Sequence, residues 1–215
     1  MKALADCRLY AFVDTAYLHG RKPVEIAHQL CDGGADLIQL RAKQSAPDEI
    51  RRLAEIILPI TRAAGVGLVI NDHPEIARAL GADLCHLGQE DFFEAGHKHV
   101  NEVRLESRGM RIGLSTHAPA QAERARAAGA DYIAIGPVFA TPTKPGRPGV
   151  TLDYVRWAAT HLHVPWFAIG GITLQNLDGV LAAGARRICV VSAILNASDV
   201  TVACRQFKER LLSAR

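Results

Sequence analysis

Cysteines are few in this sequence and none sits in a metal-type or redox-type spacing. Cys7, Cys31, Cys85, Cys189 and Cys204 are scattered and odd in number, and no C-x-x-C occurs. That excludes a disulfide framework and a thiolate zinc centre. It points to reduced thiols acting as small core hydrophobes in a cytosol-like compartment. A basic run is also missing, and the formal net charge is only +3 at pH 7. No nucleic-acid partner and no membrane partner is expected from that balance. No apolar stretch approaches membrane-spanning length, and the opening MKALADCRLYAF carries no cleavage signature. The expectation is therefore a cytoplasmic protein. No linker, low-complexity tract or composition break divides the 215 residues, so residues 1–215 are expected to form one domain. A chain of that length buries about 70% of its unfolded surface and needs no staples.

What is present is a regular alternation of short β-rich runs with amphipathic stretches. The runs predicted as strands are Arg8–Val13, Leu37–Arg41, Gly67–Asn71, Leu84–Gly88, Arg111–Ser115, Tyr132–Gly136, Trp166–Gly170 and Ile188–Ser192. Most are apolar on both alternating faces, as strands covered on both sides must be. Between them, Ile50, Leu53, Ile57 and Ile60 recur at helical spacing, with Pro59 expected to kink that helix. Pro23 and Pro119 suit first helical turns, and Thr151 and Thr173 suit N-caps. Eight strand–helix units in 215 residues predict an α/β fold with a closed parallel sheet, a single (β/α)₈ TIM barrel. The competing doubly wound open sheet lacks its G-x-G-x-x-G after the first strand. An internal echo supports the barrel. Gly34-Ala35-Asp36, Gly81-Ala82-Asp83, Gly129-Ala130-Asp131 and the variant Gly184-Ala185-Arg186 precede strands two, four, six and eight. The glycine is expected as the left-handed residue closing each preceding helix.

In such a barrel, reactive groups sit at the C-terminal strand ends. Strand two ends in Gln39-Leu40-Arg41-Ala42-Lys43, and alternation puts Gln39, Arg41 and Lys43 on one face. An inward Arg and Lys imply an anionic ligand, because burying unpaired cations is too unfavourable for filler. The alternative for Lys43 is a solvated place on the loop. Strand three ends in Asn71-Asp72-His73, and strand four runs into Gly88-Gln89-Glu90-Asp91. Asp72 and Asp91 would then stand on adjacent loops, hard oxygen donors suited to Mg²⁺ shared with a pyrophosphate. Asp72 alone could instead cap a helix beginning at Pro74. Strand five ends at Ser115-Thr116-His117. Strand six enters Gly136–Gly146, where Thr141, Thr143 and Lys144 lie on a proline-stiffened loop. Strands seven and eight end in Gly170-Gly171-Ile172-Thr173 and Val190-Val191-Ser192, the loops where barrels often bind phosphate through backbone amides.

Taken in order, QLRAK, IND, HLGQED, GLSTH, GPVFATPTKPG, AIGGI and VVSAI closely resemble the thiamine phosphate synthase family over about four-fifths of the chain. That family joins a hydroxymethylpyrimidine pyrophosphate to a thiazole phosphate and releases pyrophosphate. The resemblance implies that Gln39, Leu40, Arg41, Ala42, Lys43, Asn71, Ser115 and Lys144 bind the pyrimidine substrate, with Arg41, Lys43, Ser115 and Lys144 closest to the chemistry. It implies that Thr141, Pro142, Thr143, Gly171, Val191 and Ser192 bind the thiazole phosphate, and that Asp72 and Asp91 hold Mg²⁺. The partners expected are these small molecules, with homo-oligomerisation left open. The rim motifs carry no Cys–His or Ser–His signature, which fits chemistry without a covalent nucleophile.

The chain departs from the family where His73 replaces an arginine after Asn-Asp. Residues 92–110 match nothing usable, His97 and His99 read as exposed histidines, and Asp14 has no role assigned. Two rivals share the fold or the ligand. A thiazole tautomerase would use His117 as its base and needs no paired carboxylates. A non-catalytic regulator would bind thiamine phosphates and needs no magnesium on a leaving pyrophosphate.

Overall fold

The computed structural model describes residues 1–107, 109–141 and 149–214. Along the chain it runs β1 (Leu9–Asp14), α1 (Pro23–Asp32), β2 (Leu37–Arg41), α2 (Pro47–Ala63), β3 (Gly67–Asn71), α3 (Pro74–Leu80), β4 (Leu84–Leu87), α4 (Asn101–Arg104) and β5 (Arg111–Thr116). It continues through α5 (Pro119–Ala127), β6 (Tyr132–Ile135), α6 (Thr151–His161), β7 (Trp166–Ile169), α7 (Leu177–Ala182), β8 (Ile188–Cys189), α8 (Ser192–Leu195) and α9 (Val200–Ser213). All neighbouring strands pair in parallel, and β8 returns to β1 through Leu9 with Ile188 and Tyr10 with Cys189. The expected closed (β/α)₈ barrel is what forms. Strand eight is shorter than expected because Ser192 opens α8.

The local signals act largely as read. Pro23 and Pro119 each open a helix. Helix α2 contains Pro59 and runs on through it; Pro59 is exposed, so the carbonyl it cannot serve faces water. The two threonine caps need correction. Thr151 lies inside the first turn of α6, behind an N-cap at Val150, though its hydroxyl accepts from the Asp153 N–H at 3.3 Å. Thr173 precedes α7 by several residues. Asn176 holds the N-cap position, and its side chain ties down the Gly171 carbonyl and the Thr173 N–H instead.

Closure sorts side chains into two cores. Outward residues such as Leu9, Ala11, Val13, Ile38, Leu40 and Ile70 pack against the helices. Inward residues such as Tyr10, Phe12, Leu37, Val69, Leu84, Tyr132, Phe167 and Cys189 fill the barrel. Gly113 on β5 makes room for the largest of these. A Cβ there would stand 2.0 Å from the Tyr132 ring, so only glycine lets that phenol cross the interior.

The Gly-Ala-Asp echo now has a mechanism. Gly34, Gly81, Gly129 and Gly184 all have positive φ, as a helix-closing residue requires. The aspartate that follows then ties down the start of the preceding strand in the barrel. Asp36 accepts from the Arg8 and Leu9 N–H groups at 2.8 and 3.0 Å, Asp83 from Leu68 at 3.3 Å, and Asp131 from Ile112 at 2.7 Å. Asp36 is the most deeply placed of the three and also receives Lys2 and Lys208. Burial works to raise its pKa, but these bonds from Lys2, Lys208, Arg8 and Leu9 outweigh it and hold the carboxyl below the usual range. A depressed folded pKa means stability present above the unfolded value of about 4 and lost as pH falls through the folded one. Asp36→Ala is expected to lower stability by about 2–4 kcal/mol at neutral pH, since it orphans one buried and one partly buried N–H group and removes the partner of Lys208. Denaturant titrations at pH 7 and pH 3 should show that loss shrinking in acid; an equal loss at both would remove the assignment.

Candidate active site

A cavity of about 350 Å³ opens at the C-terminal ends of the strands. Its floor is built from Tyr10, Phe12, Gln39, His86, Ser115, Ala134, Ile169 and Cys189. Arg41, Lys43, Asn71, Asp72, Glu90 and Asp91 line the side fed by β2, β3 and β4. Thr141, Gly170, Gly171, Ile172, Val190, Val191 and Ser192 line the side fed by β6, β7 and β8. Strand parity places Gln39 and Arg41 inward, and the following turn brings Lys43 to the same opening.

The charged wall is internally paired. Arg41 donates to the Asp14 carboxylate at 2.8 Å, and Asp14 is almost fully buried at 1% exposure. Asp14 thereby gains a role: an inward carboxylate at the end of β1 that fixes the guanidinium under the cavity mouth. Lys43 meets Asp72 at 2.6 Å, and Asn71 donates to the same carboxylate at 2.6 Å. Lys43 is half exposed and also lines the cavity. Asp72 adopts a left-handed backbone with φ of 61°, which Asp tolerates better than most residues. It is not the cap of α3; His73 occupies that position.

Asp91 sits on a π turn, Glu90–Glu94, behind β4, a geometry found often at functional sites. Burial raises the pKa of Asp72, the Lys43 ammonium opposes this, and the neighbouring Asp91 carboxylate raises it further. Two neighbouring carboxylates with one lysine, paired to Asp72, are short of positive charge. Their oxygens are hard, few and at the mouth, the donor set that Mg²⁺ uses when an anion completes its shell. Among the described residues no group of three or more His, Cys, Asp or Glu gathers as a metal site. His97 joins Glu102 on the surface.

Not every expected residue reaches the cavity. The side chains of Leu40 and Ala42 point outward into the helix-facing core, because they hold the alternate parity to Gln39 and Arg41. Pro142, Thr143 and Lys144 lie outside the described residues. His73 pairs with Glu75 at 3.0 Å and does not line the cavity.

Two floor residues, Tyr10 and His86, escape the sequence reading. Tyr10 reads in sequence as an ordinary strand aromatic, and only its inward parity marks it. His86 lies inside HLGQED, where the carboxylates overshadow it. The structure also brings together a serine and a histidine that no single motif joins in sequence. His86 Nε2 stands 2.9 Å from Ser115 Oγ, brought there by the pairing of β4 with β5.

The family model described as thiamine monophosphate synthase matches residues 9–194. The chain belongs to this family. It is 52% identical over 180 residues to a thiamine-phosphate synthase of Thermus thermophilus, covering 83% of this chain and 84% of the relative. It is 44% identical over 218 residues to one of Acidothermus cellulolyticus, covering all of both chains. A thiamine phosphate pyrophosphorylase structure from Pyrococcus furiosus superposes with a TM-score of 0.85 at 28% identity, covering 99% of this chain and all of that one. A 3-hexulose-6-phosphate synthase structure shares the fold at 20% identity and a TM-score of 0.68, over 94% of this chain and 98% of that one. The family expected from the motifs is thus the family found.

The Asp72–Asp91 pair generates a direct test. A carboxyl with a raised folded pKa contributes stability below its unfolded pKa and loses it as pH rises through the folded value. Burial and the neighbouring Asp91 thus disfavour the ionised form of Asp72, and a cation held there would relieve it. Asp72→Asn without Mg²⁺ should melt no lower than the parent protein. Adding Mg²⁺ with pyrophosphate at about a hundredfold over Kd should stabilise the parent by about 2.7 kcal/mol and the variant much less. Differential scanning calorimetry would show it, and equal shifts in both proteins would exclude Asp72 as a ligand.

Proposed function

We propose that the cavity joins a hydroxymethylpyrimidine pyrophosphate to a thiazole phosphate, giving thiamine phosphate and pyrophosphate. The observation that carries this reading is the division of one cavity into two unlike walls. Arg41, Lys43, Asn71, Asp72 and Asp91 stand on one side, and Gly171, Val191 and Ser192 on the other. The first wall suits a pyrophosphate and its cation; the second suits a terminal monophosphate held by amides and a hydroxyl. The activity is that of the chain's relatives, named thiamine-phosphate synthases, and it makes the protein a transferase.

Each part of the reaction then finds a group. The pyrimidine ring occupies the floor between Gln39 and Ser115. Its 4-amino group feeds electrons into the ring, so the methylene carbon can release pyrophosphate with the bonding pair and persist as a stabilised cation. The thiazole nitrogen supplies the pair for the new C–N bond. Arg41, held by Asp14, and Lys43 neutralise the leaving group, and Asp72 and Asp91 would hold a Mg²⁺ that supplies further charge neutralisation when bound. The thiazole phosphate is remote from the reacting nitrogen, and its binding serves orientation. Lys144, Pro142 and Thr143 belong to the same reading through the family motif.

The protein acts as one domain in a reducing cytoplasm. No described helix is long and apolar enough to cross a membrane. All five cysteines are free thiols, and burial pushes Cys7 and Cys31 up to about 11 and Cys204 to about 12. Such thiols are unreactive.

Turnover of both substrates by purified protein separates this reading from a tautomerase, which would consume the thiazole alone, and from a regulator, which would consume neither. The two walls separate further by calorimetric titration. Arg41→Ala should weaken the pyrimidine pyrophosphate by about 10- to 150-fold with little effect on the thiazole phosphate. Ser192→Ala should weaken the thiazole phosphate, by about two- to tenfold, and spare the pyrimidine. If both variants lost the same ligand, the two-wall layout would be wrong.

A further inference from the structure

Beneath the cavity a chain of hydrogen bonds crosses the barrel interior. Gln39 Nε2 donates to Tyr10 Oη at 2.5 Å. The Tyr10 and Tyr132 hydroxyls meet at 3.2 Å, Tyr132 Oη meets His86 Nδ1 at 3.1 Å, and His86 Nε2 meets Ser115 Oγ at 2.9 Å. The chain therefore runs from β2 through β1, β6 and β4 to β5, joining two floor residues that do not touch each other. Tyr10 and Tyr132 are fully buried, and that burial holds both phenols well above their ordinary pKa. Each keeps one proton and can donate one bond.

We infer that Tyr10, Tyr132 and His86 are positioning residues that transmit a single hydrogen-bond direction from Gln39 to Ser115. An amide nitrogen can only donate. Tyr10 accepts from Gln39, its buried O–H is satisfied by donating to Tyr132, and the buried O–H of Tyr132 is satisfied in turn by donating to His86 Nδ1. That leaves neutral His86 with its proton on Nε2, donated to Ser115 Oγ. The consequence lies at the two ends. Gln39 keeps its carbonyl oxygen as an acceptor, and Ser115 keeps its own O–H as a donor. One acceptor and one donor held apart at a fixed distance complement the edge of an aminopyrimidine, which offers an amino N–H and a ring nitrogen. A reversed chain would leave Ser115 without its donor, and the ring nitrogen unbound. This assignment rests on the proposed pyrimidine substrate for its purpose, while the chain's direction can be measured without substrate.

The test reads the His86 tautomer by ¹⁵N NMR of the imidazole in the full-length protein, with the His86 signals identified by their loss in His86→Asn. Neutral His86 should carry its proton on Nε2. In Gln39→Glu a carboxylate that only accepts should reverse every bond and move the proton to Nδ1, although the new carboxylate would not touch His86. Adding Tyr132→Phe should cut the transmission and leave the tautomer insensitive to position 39. An unchanged tautomer in Gln39→Glu, or a reversal that persists in the double variant, would overturn the inference.

A kinetic arm adds no charge and holds if Gln39→Glu does not fold. Tyr132→Phe should lower kcat/KM about tenfold yet lower it no further when Ser115 is already Ala. Independent losses in the two backgrounds would show a merely structural role. If the parent protein makes no thiamine phosphate, the substrate reading fails, and the tautomer measurement still decides the chain.

Discussion

Closure of eight parallel strands imposes the constraint from which the rest follows, because it sends every second side chain into a space with no solvent below and open solvent above. The lower positions must be filled, and Leu37, Val69, Leu84, Tyr132 and Phe167 fill them. The upper positions cannot all be apolar, since they face the mouth. There the same strands present Asp14, Arg41, Asn71 and Ser115. Fold and site are thus two ends of one alternation, and Gly113 shows how tightly they are joined. Its missing side chain admits Tyr132, which in turn reaches the polar floor.

Charge at the mouth is managed by pairing. Arg41 is partly buried and gains its counter-charge from Asp14 beneath it, so it can stand under the cavity without unfavourable desolvation. Lys43 and Asp72 pair nearer solvent, where such a bond is weak and can be exchanged for a ligand. The deep pair therefore sets geometry and the shallow pair stays available. Asp91 leaves the second group one negative charge in excess.

The opposite wall works with little charge. Gly171, Val191 and Ser192 offer backbone and one hydroxyl to the cavity. Between the walls, the polar groups of the floor bond to one another across the barrel. Such a network is favourable only when it is complete, which couples residues on β1, β2, β4, β5 and β6 into one unit.

Much of this was legible in the sequence by itself. The eight strands follow from apolar runs whose spacing leaves room for one helix each, and the closing glycines follow from the Gly-Ala-Asp echo. Gln39, Arg41 and Lys43 were legible because a period of two is rigid, and Asp72 and Asp91 because hard oxygens beside cations suggest a single chemistry. What only the tertiary structure decided are relations between strands distant in sequence. Asp14 has no meaning until β1 lies beside β2 and brings it under Arg41. His86 and Ser115 become a pair only through the register of β4 on β5, and Tyr10 meets Tyr132 only because the barrel closes. Parity likewise turned Leu40 and Ala42 outward, although they lie within the same motif as their inward neighbours. Local chemistry sets which groups a strand carries, but the distance between groups on different strands is a property of closure, and no stretch of sequence contains it.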